Sequence, residues 1–146
     1  MATTLMRNMT SEFGRQVDDT GLVLIPWNGL ATLRTEEGVE VGYFTYDYPG
    51  EHSVDVGTLP KGIVYIRYST IHEKYRGRGY ALAALTTLEA DFVRDGIHTV
   101  WSLPLTTRIG FVKRCGFTRH HKTPAYAYGT NVDTHIWAKQ LGPNNQ

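Results

Sequence analysis

Between Ile63 and Asp95 the chain changes its period, and no other stretch limits the possible folds as much. Ile63 to Ile71 reads IVYIRYSTI, dense in β-branched and aromatic residues, and is the clearest strand in the sequence. From about Arg78 to Asp95 the pattern turns helical: Ala81, Leu85, Leu88 and Phe92 recur on one face and are expected in the core. Gly96 is a natural stop for that helix. Ile97 to Leu103 (IHTVWSL) then reads as a short strand covered on both faces, which makes His98 a structural residue. Strand, helix and strand in this order form a crossover whose two strands run parallel.

The joint of the crossover is unusual. Glu73 to Leu85 reads EKYRGRGYALAAL, so two arginines and two glycines lead directly into the helix. The first turn of a helix presents unpaired N–H groups and the positive end of the dipole. Glycine lets an anion come close to such a turn, and a cation completes the charge balance. Gly77 and Gly79 supply the approach, Arg76 and Arg78 the charge. Two phosphate motifs are excluded. Leu82 stands where a dinucleotide fingerprint needs its third glycine, and no Gly-Lys-Ser/Thr follows as a P-loop requires.

The remaining segments place this joint in a mixed α/β domain spanning residues 1–146, with 1–29 and 142–146 weakly patterned. Leu22 to Ile25 reads as a short strand ended by Pro26, and Leu30–Arg34 with Val39–Tyr48 suggests a hairpin. Glu51 to Lys61 is polar and turn-rich, as an exposed loop would be. Thr106 or Thr107 can cap a second helix running to Cys115 and ended by Gly116, and two last strands follow around a tyrosine-bearing connection. A net charge of +1 gives no global field to recruit DNA or a membrane, so a nucleic-acid partner would need a local patch. The one dense basic stretch is Lys113, Arg114, Arg119, His120, His121 and Lys122. A single cysteine, Cys115, allows no internal disulfide and no cysteine metal cluster, and it reads as a packed small hydrophobe. No metal is expected; His120-His121 reads as surface. Without a signal-peptide core or a membrane-length apolar run, the expectation is a cytoplasmic protein.

Arg76-Gly77-Arg78-Gly79-Tyr80-Ala81 matches Gln/Arg-x-x-Gly-x-Gly/Ala, and Phe111 to Phe117 (FVKRCGF) ends in the Gly-Phe of a second block. In these two blocks, with one helix and one strand between them, the chain resembles the GNAT superfamily, the Gcn5-related N-acetyltransferases. The resemblance covers about Ile63 to Phe117. It implies a mostly antiparallel sheet whose central parallel strand pair splays apart, flanked by helices. It also implies acetyl-CoA as cosubstrate, with the diphosphate on the amides of Arg76, Gly77, Arg78, Gly79, Tyr80 and Ala81, the pantetheine arm beside Ile71, His72 and Glu73, and an amide near Ile71 polarising the thioester. The acceptor would be an amine on a small molecule or protein, and relatives often form dimers through their last strands.

The chain departs from the family at several points. Val112 stands where a tyrosine usually serves as acid, Leu105 where asparagine is common, and Glu73 where proline is common. Residues before Leu30 are shorter than the usual two-helix region. Tyr126 and Tyr128 are the substitute acids. For the base, Tyr65, Arg67 and Ser69 share a strand face, Asp47 ends the neighbouring strand, and His72 leads because its class titrates near neutrality. One or two rings of Tyr43 to Tyr48 are candidates to line the acceptor cleft. A binding module that keeps the fold without catalysis, and acetylation of an RNA-borne amine, are the alternative functions.

Overall fold

The computed structural model describes residues 14–53, 55–122 and 132–142. The strands are β1 (Arg15–Val17), β2 (Leu22–Trp27), β3 (Leu30–Thr35), β4 (Glu40–Asp47), β5 (His52–Ser53), β6 (Gly57–Thr58), β7 (Ile63–Ile71), β8 (Thr99–Ser102), β9 (Thr118–Lys122) and β10 (His135–Gln140). Two α-helices accompany them, α1 (Tyr80–Arg94) and α2 (Ile109–Arg114), with single 3-10 turns at Glu73–Tyr75 and Thr106–Arg108. By packing, the chain divides into two units, Met1–Thr45 with Tyr68–Asp91 and Tyr46–Arg67 with Phe92–Gln146, so β4 and β7 each pass from one unit to the other.

In the first unit the strand order is β1-β2-β3-β4-β7. The β2–β3 hairpin turns on Asn28 and Gly29, both at positive φ (50° and 85°), the backbone that a two-residue type I′ turn requires. Pro26 lies inside β2 and does not end it. Trp27 and Leu30 close the hairpin as partners, so residue 26 turns its nitrogen to the other side. Among the described residues the β1 pairs cover only Leu22 to Leu24, so the missing N–H takes no ladder bond from any of them. The expected β3–β4 hairpin is present, with a register shift after Leu33. The start of β4 meets the end of β7, where the His72 N–H donates to the Val41 carbonyl at 2.8 Å, so these two strands run antiparallel. Leu24, Leu33, Val41, Phe44 and, from α1, Ala84 and Leu88 are fully buried. Ala81, expected in the core, is half-buried; Ala84 takes the buried place one turn on.

In the second unit β8 pairs with β7 in parallel, Ile63 with Thr99 through Ile66 with Ser102, and β7 runs on to Ile71 past the last pair. The β10 strand joins β8, and β9 joins β10, both antiparallel. The sheet is therefore mixed and mostly antiparallel with one parallel pair. Phe92, from the end of α1, is fully buried and packs edge-to-face with Tyr46 and Tyr48 at centroid distances of 5.2 and 6.0 Å.

Three local expectations fail in this unit, each for a physical reason. The 51–61 stretch is not a plain loop: β5 and β6 pair, and Leu59 is buried while bonding back to Glu51. His98 is exposed and precedes β8; its ring fills the space that a Cβ on Gly62 would need. Neither Thr106 nor Thr107 caps a helix, because both lie in the 3-10 turn and α2 starts only at Ile109, with no side-chain cap. The stop at Gly116 is as expected: φ is 95°, and the amides of residues 116 and 117 return to Lys113 and Val112.

Gly42 is the tightest point of the first unit. A Cβ there would strike the Thr70 carbonyl oxygen and come within 3.0 Å of the Ile71 Cα. Gly42→Ala should cost about 2 kcal/mol as an overpacking change. Urea unfolding would show this as a lower midpoint with an unchanged slope.

Candidate active site

The loop after β7 is held at both ends by its own backbone. Beyond the Val41 bond, the Tyr75 amide donates to the His72 carbonyl at 2.9 Å and the Arg76 amide to Glu73 at 3.1 Å, closing the 3-10 turn. The Arg76 Nε donates to the Ile71 carbonyl at 2.7 Å, so this arginine staples the turn to the end of the strand. Gly77 and Gly79 follow at φ of +79° and +77°, values that an L side chain adopts only with strain. A Cβ at either would meet nothing within 4 Å, so the glycines are there for the backbone path and leave the approach open. The first helical bond joins the Ala83 amide to the Gly79 carbonyl at 3.1 Å. Among the described residues, none accepts from the amides of residues 77–82. A row of N–H donors thus stands at the positive end of a fifteen-residue helix with no acid in its first turn.

The cations around this row are exposed and positioned. Arg78 lies over Tyr75 at 5.8 Å and Tyr80 at 5.9 Å and reaches the Lys74 carbonyl at 3.4 Å. Lys74 lies over the Tyr75 ring at 5.3 Å. The aromatic residues Tyr75 and Tyr80, unremarked in the sequence beyond the motif itself, are thus what orients the loop cations. This donor set fits a diphosphate: open amides, glycine clearance and two flanking guanidinium groups.

His72 sits between the strand and this loop. Its Nε2 is 2.7 Å from the Glu40 Oε2, both side chains being about half exposed. With the carboxylate as acceptor, Nε2 is the donor of this contact, and Nδ1 is the ring nitrogen turned away from Glu40. Glu40 gave no signal in the sequence because its partner lies across the sheet, not along the chain.

The other base candidates are placed differently. Tyr65 is buried, and its hydroxyl donates to the Asp55 Oδ2 at 2.8 Å. Burial first, then the Asp55 bond and the nearby carboxylates of Asp55 and Asp47, push this phenol far above its ordinary range, so it stays protonated and cannot take a proton. Arg67 binds the Asp47 Oδ1 through its Nε at 3.0 Å, and the Asp47 Oδ2 is buried with no hydrogen-bond partner among the described residues. Tyr46 and Tyr48 belong to the packing on Phe92: burial and then the charge of Asp95 raise Tyr46 to about 12, and burial with a 2.8 Å bond to Asp95 raises Tyr48 further. Tyr43 alone of that tyrosine run is turned toward Tyr68. Tyr126 and Tyr128 lie outside the described residues. Val112 is buried on the inner side of α2, and Cys115 is buried as expected of a packed hydrophobe.

The ends of the segment that carries those two tyrosines are anchored by a group the sequence did not single out. Asp133 accepts from the Trp137 indole N–H at 2.6 Å and pairs with Arg119 at 3.5 Å, while Arg119 lies over the Trp137 ring at 5.4 Å. The Asp133 amide donates to the Pro104 carbonyl at 2.9 Å, and Val132 bridges to Leu105. Burial alone would raise the Asp133 carboxyl, but the indole, the Thr134 amide and Arg119 outweigh it and hold it below the usual carboxylate range. This pairing also commits Arg119, one of the six basic residues of the 113–122 stretch. His121 is half-buried, its ring 4.9 Å from Trp101, and burial with the neighbouring His120 and His135 lowers its basicity. Among the described residues, no set of three or more His, Cys, Asp or Glu side chains converges as metal ligands would. No helix among them is long and apolar enough to cross a membrane.

The profile of the family described as "Acetyltransferase (GNAT) family" matches residues 4–117. No curated protein matches the chain in sequence. Among solved structures, Tetrahymena GCN5 is similar at 13% identity and a TM-score of 0.58, over 97% of this chain and 89% of that one. Ard1 from Thermoplasma volcanium is similar at 15% identity and 0.60, over 79% and 72%. N-acetylglutamate synthase from Neisseria gonorrhoeae, solved with coenzyme A and N-acetyl-glutamate, is similar at 18% and 0.59, over 79% of this chain and 26% of that one.

Asp133 is the feature here with a direct stability readout. Its folded pKa lies below its unfolded one, so its contribution is present above the unfolded value and is lost as pH falls through the folded value. Asp133→Ala should cost about 2 kcal/mol at neutral pH by stranding the buried indole N–H. The difference from the unchanged protein should shrink in acid, as denaturant titrations at several pH values would show.

Proposed function

The chain belongs to the GNAT acetyltransferase family, and on that premise we propose that it moves acetyl from acetyl-CoA directly to an amine, with residues 76–81 gripping the coenzyme's diphosphate. The observation that carries this reading is the row of open amides behind Gly77 and Gly79, at the head of α1 and flanked by Arg76 and Arg78. The coenzyme supplies a thioester. The amine lone pair forms the new N–C bond to its carbonyl carbon, the C–S bond breaks, the sulfur leaves as thiolate, and the amine proton goes to a base. A thiolate is a stable enough leaving group for this without a strong acid. His72 is the proposed base, its Nδ1 presented by the Glu40 carboxylate on the far ring nitrogen. Tyr126 and Tyr128 are the proposed proton donors to sulfur. Ile71, His72 and Glu73 are proposed to run beside the pantetheine arm as a strand end does beside an added strand.

Acetyl-CoA at a hundred times its Kd should raise stability by about 2.7 kcal/mol, read as a thermal shift. An unshifted melting curve at saturation would sink the reading. Arg78→Glu should weaken coenzyme binding about tenfold or more by replacing a cation with an anion, without unfolding the domain. Calorimetric titration gives the affinity, and circular dichroism checks the fold. His72→Gln should lower kcat about a hundredfold or more while leaving coenzyme affinity within a few-fold. An unchanged kcat assigns the base elsewhere.

A further inference from the structure

Charge is spread unevenly along the chain. From Gly96 to the end there are six lysines and arginines and one acid, Asp133, whereas residues 1–95 hold thirteen acids against nine lysines and arginines. A chain of net charge +1 thus has a basic C-terminal third, and such a segment attracts anions that the whole molecule would not. Arg119 is spent on Asp133. Lys113, Arg114 and Lys122 are exposed, and no carboxylate among the described residues pairs with them. These three stand shortly before β9 and at its last position, and within β9 only His121 is partly covered. The strand has β10 on one side and, among the described strands, none on the other. A rim of that kind carries N–H and C=O groups with no ladder partner. Unpaired positive charge and an open ladder coincide on the same five residues.

We propose that β9 is a docking edge for a short, acidic, extended segment of a partner protein, which adds to the sheet as a further strand. In such an addition the main-chain bonds hold any sequence, and the side chains decide which one is accepted. Carboxylates directly across from bases attract, whereas lysines or arginines there would repel. The length of the segment is bounded as well. Pairing of β9 with β10 steps from His121–Ile136 to Arg119–Trp137, which leaves His120 as the extra residue of a bulge. A bulge bends its strand, so a long regular partner falls out of register and a segment no longer than β9 does not. Nucleic acid fits this edge less well. Its backbone has no N–H to offer the carbonyls of the rim, and its bases need open rings on which to stack. The tryptophans beside β9 are already taken: His121 packs on Trp101 at 4.9 Å, and Arg119 lies over Trp137 at 5.4 Å. The proposal does not depend on residues 76–81, which belong to the first unit.

The test uses the full chain at low ionic strength and a peptide Glu-Val-Glu-Val-Glu, acetylated and amidated at its ends so that it offers no amine. Titrated against the protein, it should shift the backbone amide resonances of Thr118–Lys122 saturably. The neutral peptide Gln-Val-Gln-Val-Gln should bind at least tenfold more weakly, and the acidic peptide with every amide N-methylated should not bind there. Lys122→Glu should weaken the acidic peptide about tenfold, since one attraction is lost and one repulsion gained. Equal binding by the N-methylated peptide overturns the proposal, because charge alone would then suffice. So does tighter binding by an oligouridylate of five phosphates, which would make the surface a nucleic-acid one. Absence of any shift at Thr118–Lys122 overturns it, and so does a dimer of the peptide-free chain that already shields those amides. Should Lys122→Glu fail to fold, the three peptides and the oligouridylate on the unchanged chain decide the matter.

Discussion

Gly42 lets the backbone of β7 come so close to β4 at Thr70 and Ile71 that no side chain fits between them. The consequence passes down the chain. With the strands this close, the His72 amide reaches the Val41 carbonyl, which fixes where β7 ends. The Ile71 carbonyl, left at that end, takes the Arg76 Nε, and this bond curls the 3-10 turn back on the strand. Only then do Gly77 and Gly79 have a fixed point from which to reverse the backbone into α1. A helix start is polar wherever it occurs; here it is also aimed.

The two arginines of the loop have different duties despite their matching place in the motif. Arg76 spends its Nε on the fold, and its charge is a by-product at the mouth of the loop. Arg78 has only a long contact to a carbonyl and rests on two tyrosine rings, which restrict it without neutralising it. An arginine stacked on aromatics keeps its fork of donors available and has already lost much of its rotamer freedom. Preorganisation of this kind is what a diphosphate grip needs.

How far the sequence reaches depends on the range of the interaction concerned. Ile63–Ile71, the helix after the loop and the two parallel strands were legible because their determinants are periodic and local. The glycine loop was legible because its backbone demands residue types that little else tolerates. Ala81 was misplaced since a spacing rule gives a helix face but not how far along its length that face is covered. Thr106 and Thr107 were misread because an intervening 3-10 turn moves the start of α2 past them. The β5–β6 pair escaped notice because two-residue strands leave no period. Glu40 beside His72, and Asp133 between Trp137 and Arg119, depend on register between strands, which a single sequence does not encode locally.

The outermost strand of the second unit, β9, is Thr-Arg-His-His-Lys, and nearly all of it is exposed. Among the described strands it has a single neighbour, β10. A foreign strand approaching its free rim would meet a row of bases. Unsatisfied ladder groups are normally an invitation to fibril growth, and a palisade of like charge is one way to withdraw it. The exposed basic residues of β9 thus discourage a second copy of the chain from adding its own strand there.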